Sequence, residues 1–141
     1  DWNRVYGSRG FLQYQFLVPS GEEPALRRIV EKIGASRHAS GLNVLKRFGA
    51  GNQAPLSFPQ PGWTVTVDFP IEPGLHRFCD ELDGLVLEAG GRLYLAKESR
   101  TTGATLKRGY PRFEEWRKVR DAADPGGLFG SDMARRLELT Q

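Results

Sequence analysis

The sequence predicts an α+β fold in which one antiparallel sheet carries helices on one of its faces. Three observations lead to this prediction. Residues 63–69, WTVTVDF, alternate apolar and polar side chains, which is the period of a half-buried strand. Apolar residues recur at helical spacing over residues 75–89. Aromatic and β-branched residues fill residues 11–18, and Pro19 ends this strand.

The other elements of the first half follow in order. Ser20 and Glu23 have the spacing of a capping box, and the apolar residues after them predict a helix that Gly34 closes. Residues 42–48 predict a second strand. Residues 49–62 hold three glycines and three prolines and therefore predict a loop.

The chain returns to the sheet after the second helix. Residues 92–97, RLYLAK, predict a fourth strand, which gives the order β-α-β-β-α-β, the split βαβ of ferredoxin-like domains. Pro111 suits the first position of a further helix. Ser131 can cap a last short helix after the break at DPGG. The predicted fold is therefore ferredoxin-like, followed by C-terminal helices.

Composition limits the possible functions. The 141 residues are 39% hydrophobic and 26% charged, as in a soluble globular protein. A net charge of +3 is mild for a nucleic-acid-binding protein, and we expect no nucleic-acid partner. One cysteine and two distant histidines argue against a disulfide and a metal site. No apolar run reaches the ~18 residues of a membrane helix. Because the chain starts without methionine, we interpret it as part of a longer protein.

One face of the predicted sheet is polar. The usual strand order of this fold places strands one and three in the centre, with strand four beside one and strand two beside three. Uncharged hydrogen-bonding groups and an acid would then share the open face, with cations at its flanks: Gln13, Gln15, Thr64, Thr66, Asp68, Lys46 and Lys97. Such groups suit a polyhydroxylated ligand that carries phosphate. The same pattern is typical of the solvated face of an antiparallel sheet, so the pattern alone leaves both interpretations open.

Four long strings point to a family. They are GFLQYQFLVP, RFGAGNQAPLSFPQPGWTVTVDFPI, GGRLYLAKESRTT and DMARRLEL. Together they resemble the C-terminal part of the decaprenylphosphoryl-ribose oxidases, a family of vanillyl-alcohol-oxidase-like flavoproteins. The resemblance implies an FAD-dependent oxidoreductase that oxidises the ribose 2'-hydroxyl of its substrate to a ketone in actinobacterial cell-wall arabinan synthesis. The glycine-rich pyrophosphate loop of the family is missing from residues 1–141, so we expect this chain alone to be inactive and to bind no FAD.

The resemblance also implies a domain organisation and partners. Residues 1–91 would be the later part of the substrate-binding domain, and residues 92–141 would join the FAD-binding domain, most of which lies outside this chain. The implied partners are a polyprenyl-phosphate sugar and a separate NAD-dependent ketoreductase that completes an epimerisation. The lipid substrate implies peripheral membrane association, and a cytoplasmic or a cell-envelope location both stay open.

Position by position, the resemblance implies site residues. The substrate-binding positions are Gln13, Gln15, Lys46, Phe48, Thr64 and Thr66. Well-known family members carry Asn and Cys at the last two positions, which leaves the sugar itself open. Tyr94 and Lys97 would lie at the flavin, and the Lys97 ammonium would be catalytic by stabilising the negative charge that arrives with hydride. A regular strand places Tyr94 and Lys97 on opposite faces, so we expect the strand to twist or end between them.

Two alternatives remain. Thr64 and Thr66 keep open another FAD-linked sugar oxidase or an aldonolactone oxidase of the same superfamily. The other is a stand-alone ferredoxin-like binding module. RNA-binding modules of this shape carry aromatic rings on the two central strands, where this sequence has Gln and Thr.

Overall fold

The structure is a computed structural model that describes residues 8–38 and 41–140. The strands are β1 Phe11–Pro19, β2 Asn43–Phe48, β3 Gly62–Pro70 and β4 Arg92–Leu93. The helices are α1 Glu23–Ala35, α2 Leu75–Glu88, α3 Gly103–Gly109, α4 Phe113–Ala123 and α5 Asp132–Arg136, and a 3-10 turn spans Leu95–Lys97. None of the helices in the described ranges has the length and apolar character needed to cross a bilayer.

The sheet has the order β2-β3-β1-β4, with every neighbouring pair antiparallel, which confirms the predicted fold and strand order. The face packed under α1 and α2 is apolar, as the alternation in β1 and β3 predicts. Its core joins strand and helix residues: Tyr14, Phe16, Val18, Val65, Val67, Phe69, Ile29, Ile33, Leu75, Leu82 and Val86. The opposite face, called here the polar face, carries the alternate residues of the same two strands.

A second apolar cluster lies outside the sheet and joins the C-terminal helices. Its buried members are Leu106, Tyr110, Phe113 and Leu137. The sequence pattern does not predict α3, because this seven-residue helix contains one large apolar side chain, Leu106. The helix forms because Leu106 packs into the cluster and the Thr102 hydroxyl caps its start, accepting from the Thr105 N–H at 3.2 Å.

Helix starts differ in detail from the predicted ones. The predicted capping box is wrong, because α1 begins at Glu23 without a side-chain cap and the Glu23 carboxylate accepts instead from the Gly21 N–H at 3.0 Å. α4 begins at Phe113 and not at Pro111. The Ser131 cap of α5 is confirmed, since its hydroxyl accepts from the Ala134 N–H at 3.0 Å.

The fourth strand is shorter than predicted. β4 ends at Leu93, and the 3-10 turn follows where the sequence predicted strand up to position 97. The Tyr94 N–H still donates to the Gln15 carbonyl oxygen at 2.9 Å, but the Lys97 N–H donates to the Tyr94 carbonyl oxygen and closes the turn. The physical reason is Leu95, which packs against the second apolar cluster and not against the sheet. The strand therefore ends between Tyr94 and Lys97, which was one of the two expected solutions.

Candidate functional site

The two glutamines of β1 lie on the polar face beside partners on β3. The register pairs Gln13 with Asp68, Gln15 with Thr66 and Leu17 with Thr64, which confirms the predicted facing of these residues. Thr64 and Asp68 are nevertheless only 1% and 4% exposed, so the expectation that both are open to solvent is wrong.

Hydrogen bonds fix the orientation of both amides. The Thr64 hydroxyl donates to the Phe16 carbonyl oxygen at 2.8 Å, so its oxygen accepts from the Gln15 amide nitrogen at 3.1 Å. The Asp68 carboxylate accepts a hydrogen bond from the Gln13 amide nitrogen at 2.8 Å. Both nitrogens therefore point along the sheet. The side-chain oxygens of Gln13 and Gln15 accept no hydrogen bond from the residues that the structure describes, and they can accept from a ligand hydroxyl.

This orientation gives a testable prediction for stability. We expect Thr64→Val to lower the free energy of unfolding by about 1 to 3 kcal/mol, because the half-buried Gln15 amide and the buried Phe16 carbonyl lose a partner. Thr66→Val is the matched control. Thr66 is half-buried, its hydroxyl bonds to no other described residue, and we expect a change within about 0.5 kcal/mol. Urea denaturation of the purified chain measures both, and equal losses would contradict the assigned orientation.

The facing of β2, which the sequence left ambiguous, is decided by its register with β3. Lys46 pairs with Thr64 and Phe48 with Gly62, so both side chains lie on the polar face. The Lys46 side chain is exposed and forms no ion pair with any residue in the described ranges. It lies on the same face as the glutamines, as expected for a cation at the flank of the site.

A row of aromatic rings crosses the polar face. The Phe58 ring stacks on Tyr94 with centroids 4.5 Å apart and meets the edge of Phe48 at 5.8 Å. Phe58 comes from the loop of residues 49–61 and is 5% exposed. The sequence analysis does not predict a role for this residue. A large apolar side chain inside a Pro- and Gly-rich loop is nevertheless a signal that part of the loop is buried. The row gives the Tyr94 ring a fixed neighbour on one side.

The loop that carries Phe58 is tied to the start of β4. The Arg92 guanidinium donates to the Ser57 carbonyl oxygen at 2.8 Å and to the Gln60 side-chain oxygen at 2.5 Å. It also lies over the Tyr110 ring, 5.3 Å from the centroid. Burial of this cation lowers its pKa, although arginine stays charged. Arg92 therefore joins the loop to the second apolar cluster.

A small cleft opens at the edge of β1 where β4 stops pairing. Four of the predicted site residues line it together with the residues after the 3-10 turn: Gln13, Gln15, Tyr94, Lys97, Glu98 and Ser99. The Lys97 side chain is exposed and makes no hydrogen bond or ion pair within the described part of the chain. The remaining predicted residues lie along the polar face outside this cleft: Lys46, Phe48, Thr64 and Thr66. The cleft can offer a ligand two amide oxygens and one free ammonium.

Comparison with known proteins shows the family to which the chain belongs. The D-arabinono-1,4-lactone oxidase family matches residues 19–137, which is most of the chain. The chain belongs to this family. It is 60% identical to the decaprenylphosphoryl-beta-D-ribose oxidase of Mycolicibacterium smegmatis over 139 residues, which cover 99% of this chain and 30% of that protein.

Two more distant relatives match most of this chain. The chain is 40% identical to an uncharacterized protein of Streptomyces coelicolor over 92% of its own length and 36% of the relative. It is 24% identical to the L-gulono-1,4-lactone dehydrogenase of Mycobacterium tuberculosis over 90% of its length and 30% of the relative. The chain thus spans about a third of the length of the curated relatives it matches.

Proposed function

We propose that the full-length protein carrying this chain is an FAD-linked sugar oxidase that oxidises the 2'-hydroxyl of decaprenylphosphoryl-ribose to a ketone. The observation that carries the proposal is the cleft, whose lining includes Gln13, Gln15 and the exposed Lys97, which has no ion-pair partner among the described residues. The 60% identity to a protein of that name supports the substrate class. On this proposal the cleft is where the sugar and the flavin meet.

The side chains of the cleft suit a sugar hydroxyl and a flavin edge. The free side-chain oxygens of Gln13 and Gln15 accept hydrogen bonds from sugar hydroxyls and hold the ring in one orientation. Lys97 would help to hold FAD and would donate a hydrogen bond where negative charge develops in the reaction. FAD, when bound, would accept the hydride that leaves the sugar carbon, and the hydroxyl proton would leave to solvent water as the C=O bond forms. The exposed, unpartnered ammonium of Lys97 fits this role without first breaking an ion pair.

The proposal includes a division of the chain. Residues 1–91 form the later part of the substrate-binding domain, and residues 92–141 join an FAD-binding domain that lies mostly outside this chain. The second apolar cluster supports this division because its buried members, Leu106, Tyr110, Phe113 and Leu137, all lie in the second part. The polyprenyl-phosphate tail brings the protein to a membrane surface, and an NAD-dependent ketoreductase takes the keto product.

An aldonolactone is the second candidate substrate. The matched family and the lactone dehydrogenase relative favour it, and a lactone carries no phosphate. Lys46 argues for the phosphorylated sugar, because its ammonium lies on the polar face with no ion-pair partner among the described residues. The two candidates therefore differ in whether this cation has an anion to bind.

The deciding experiment mixes the full-length, FAD-loaded protein with each substrate in the absence of oxygen. The probes are a short-chain polyprenylphosphoryl-ribose and D-arabinono-1,4-lactone, and flavin absorbance reports the reaction. We expect rapid bleaching with the ribose derivative alone. Bleaching by the lactone alone would establish the second candidate, and bleaching by neither would refute the proposed function.

FAD binding by the 141-residue chain gives a separate prediction. We expect no binding tighter than about 10 μM, because the cleft contacts one edge of the ring and affinity grows with the number of well-made contacts. Titration of the purified chain with FAD, followed by flavin fluorescence, measures this. Submicromolar binding would contradict the proposed division of the chain.

A further inference from the structure

The residues that follow Lys97 are held by polar contacts and not by sheet pairing. The Glu98 carboxylate accepts hydrogen bonds from the backbone N–H groups of Arg100 and Thr101, which folds the segment of residues 98–101 into a compact turn. The Glu98 side chain is 3% exposed. The position of Lys97 therefore depends on what anchors this turn.

Asp83 of α2 is the main anchor of the turn. Its Oδ2 accepts from the Arg100 guanidinium at 2.5 Å and from the Thr101 hydroxyl at 3.2 Å. Its Oδ1 accepts from the Tyr14 hydroxyl at 2.8 Å. Asp83 is 4% exposed, so this one carboxylate joins α2, β1 and the turn inside the protein. Arg100 reaches a second carboxylate of α2, Asp80, at 2.5 Å.

The network has the character of a rigid support. Both oxygens of Asp83 accept hydrogen bonds, so the buried carboxylate is paired. The Arg100 side chain is 9% exposed, and its Nε has no hydrogen-bond partner among the described residues. Burial raises the pKa of Asp83, and the Arg100 cation beside it opposes this increase. A buried ion pair of this kind favours one arrangement over others, because each alternative leaves a charge unpaired.

Arg136 of α5 provides a second anchor. Its guanidinium donates to Glu98 Oε2 at 2.7 Å and to the Thr101 carbonyl oxygen at 2.5 Å. The side chain of Arg136 is 34% exposed, so it can be replaced with less damage to the fold than Asp83. The same turn is thus held from α2 on one side and from α5 on the other.

We propose that Asp83 is a positioning residue for Lys97: through Arg100 and Thr101 it holds the turn that places the Lys97 ammonium beside Gln13 and Gln15 in the cleft. This inference rests on the proposed function. Asp83 touches no substrate on this proposal and acts through Lys97 alone. Its removal therefore matters for the reaction when Lys97 is present and ceases to matter when Lys97 is absent.

The test is a double-mutant cycle on the full-length, FAD-loaded protein, with the rate of flavin reduction by short-chain polyprenylphosphoryl-ribose as the readout. We expect Asp83→Asn to slow reduction about 10- to 100-fold, as a displacement of about 1 Å does in oriented sites. In the Lys97→Ala background we expect the same change to alter the rate less than about twofold, since residues that act through one another are non-additive. Equal slowing in both backgrounds would overturn the inference. A wild-type rate for Lys97→Ala alone would also overturn the inference, because Lys97 would then have no role in the reaction, whereas no flavin reduction in the unmutated protein would instead refute the proposed function.

A second readout is independent of activity. Amide hydrogen exchange of the segment 95–101 in the full-length protein, with and without FAD, reports the order of the turn. We expect at least about tenfold faster exchange in Asp83→Asn, because the Lys97 and Thr101 N–H groups lose the support of the turn. Unchanged exchange would overturn the inference whatever the rates.

Two further variants keep the test decisive. Should Asp83→Asn fail to fold, Arg136→Met replaces it in the cycle. We expect Arg136→Met to slow flavin reduction about fivefold or more, and we expect this effect to disappear in the Lys97→Ala background.

Glu81→Gln is the matched control on α2. Glu81 is exposed and pairs with Lys32 at 2.9 Å, and it does not contact the turn. We expect it to leave the rate and the exchange unchanged, and slowing equal to that of Asp83→Asn would overturn the inference.

Discussion

We expect Lys97→Ala in the full-length protein to slow flavin reduction by the sugar about 100- to 1000-fold, the usual cost of removing one preorganised donor from a site of developing charge. The ammonium is exposed in the cleft and has no partner among the described residues, so its loss leaves no other charge unbalanced. The fold should therefore survive the change. Stopped-flow absorbance measures the rate, and a thermal melt checks the fold.

Two comparisons sharpen this prediction. Lys97→Arg should not restore the full rate, because a planar guanidinium places its charge differently from an ammonium. Lys118→Ala is the control, since Lys118 is an exposed lysine of α4 that forms no ion pair within the described ranges. If the flavin of the Lys97→Ala protein is reduced at a rate within a few-fold of the wild-type rate, Lys97 is a solvated residue of the 3-10 turn and not a catalytic one.

Gly91→Ala should lower the free energy of unfolding by about 3 kcal/mol or more, the upper range for overpacking. A Cβ at position 91 would lie 2.2 Å from the Leu17 carbonyl oxygen and 2.8 Å from the Val86 carbonyl oxygen. Both atoms belong to backbone, of β1 and α2, so neither can move aside as a flexible side chain would. Urea denaturation of the purified chain measures the loss.

The same substitution at Gly84 is the matched control, and we expect the opposite sign. Gly84 lies inside α2, and a Cβ there would meet no atom within 4 Å. Alanine should therefore stabilise the chain by about 0.5 to 1 kcal/mol through its helix propensity. Tolerance of Gly91→Ala would contradict the close approach of Gly91 to β1 and α2, and destabilisation by Gly84→Ala would contradict the open space beside Gly84.

The sheet and its facing are predictable because they depend on periodicity. Strict alternation in residues 63–69 separates apolar from polar side chains whatever the rest of the chain does, and the register of β1 with β3 agrees with it. The same alternation predicts the glutamines on the polar face. It does not predict that Thr64 is buried, because burial there depends on what covers the strand and not on the strand itself.

Elements held by distant contacts are not predictable in this way. α3 forms because Leu106 packs with Tyr110 and Leu137, and a single large apolar residue leaves no period in the sequence. Phe58 reaches Tyr94 from a loop whose composition indicates only irregular structure. The facing of β2 could be assigned only from its register with β3, because neither side of this strand is clearly apolar in the sequence.

By itself, then, the sequence determined the fold class, the strand order through its topology, and the face that carries Gln13 and Gln15. These follow from local side-chain patterns, which act over a few residues. Only the tertiary structure decided where β4 ends and how Lys97 reaches the cleft. The end of the strand depends on Leu95 packing against helices far along the chain, and the turn after it depends on Asp83, a buried carboxylate on another helix. Contacts between residues that are distant in sequence decide such features, and no local pattern records them.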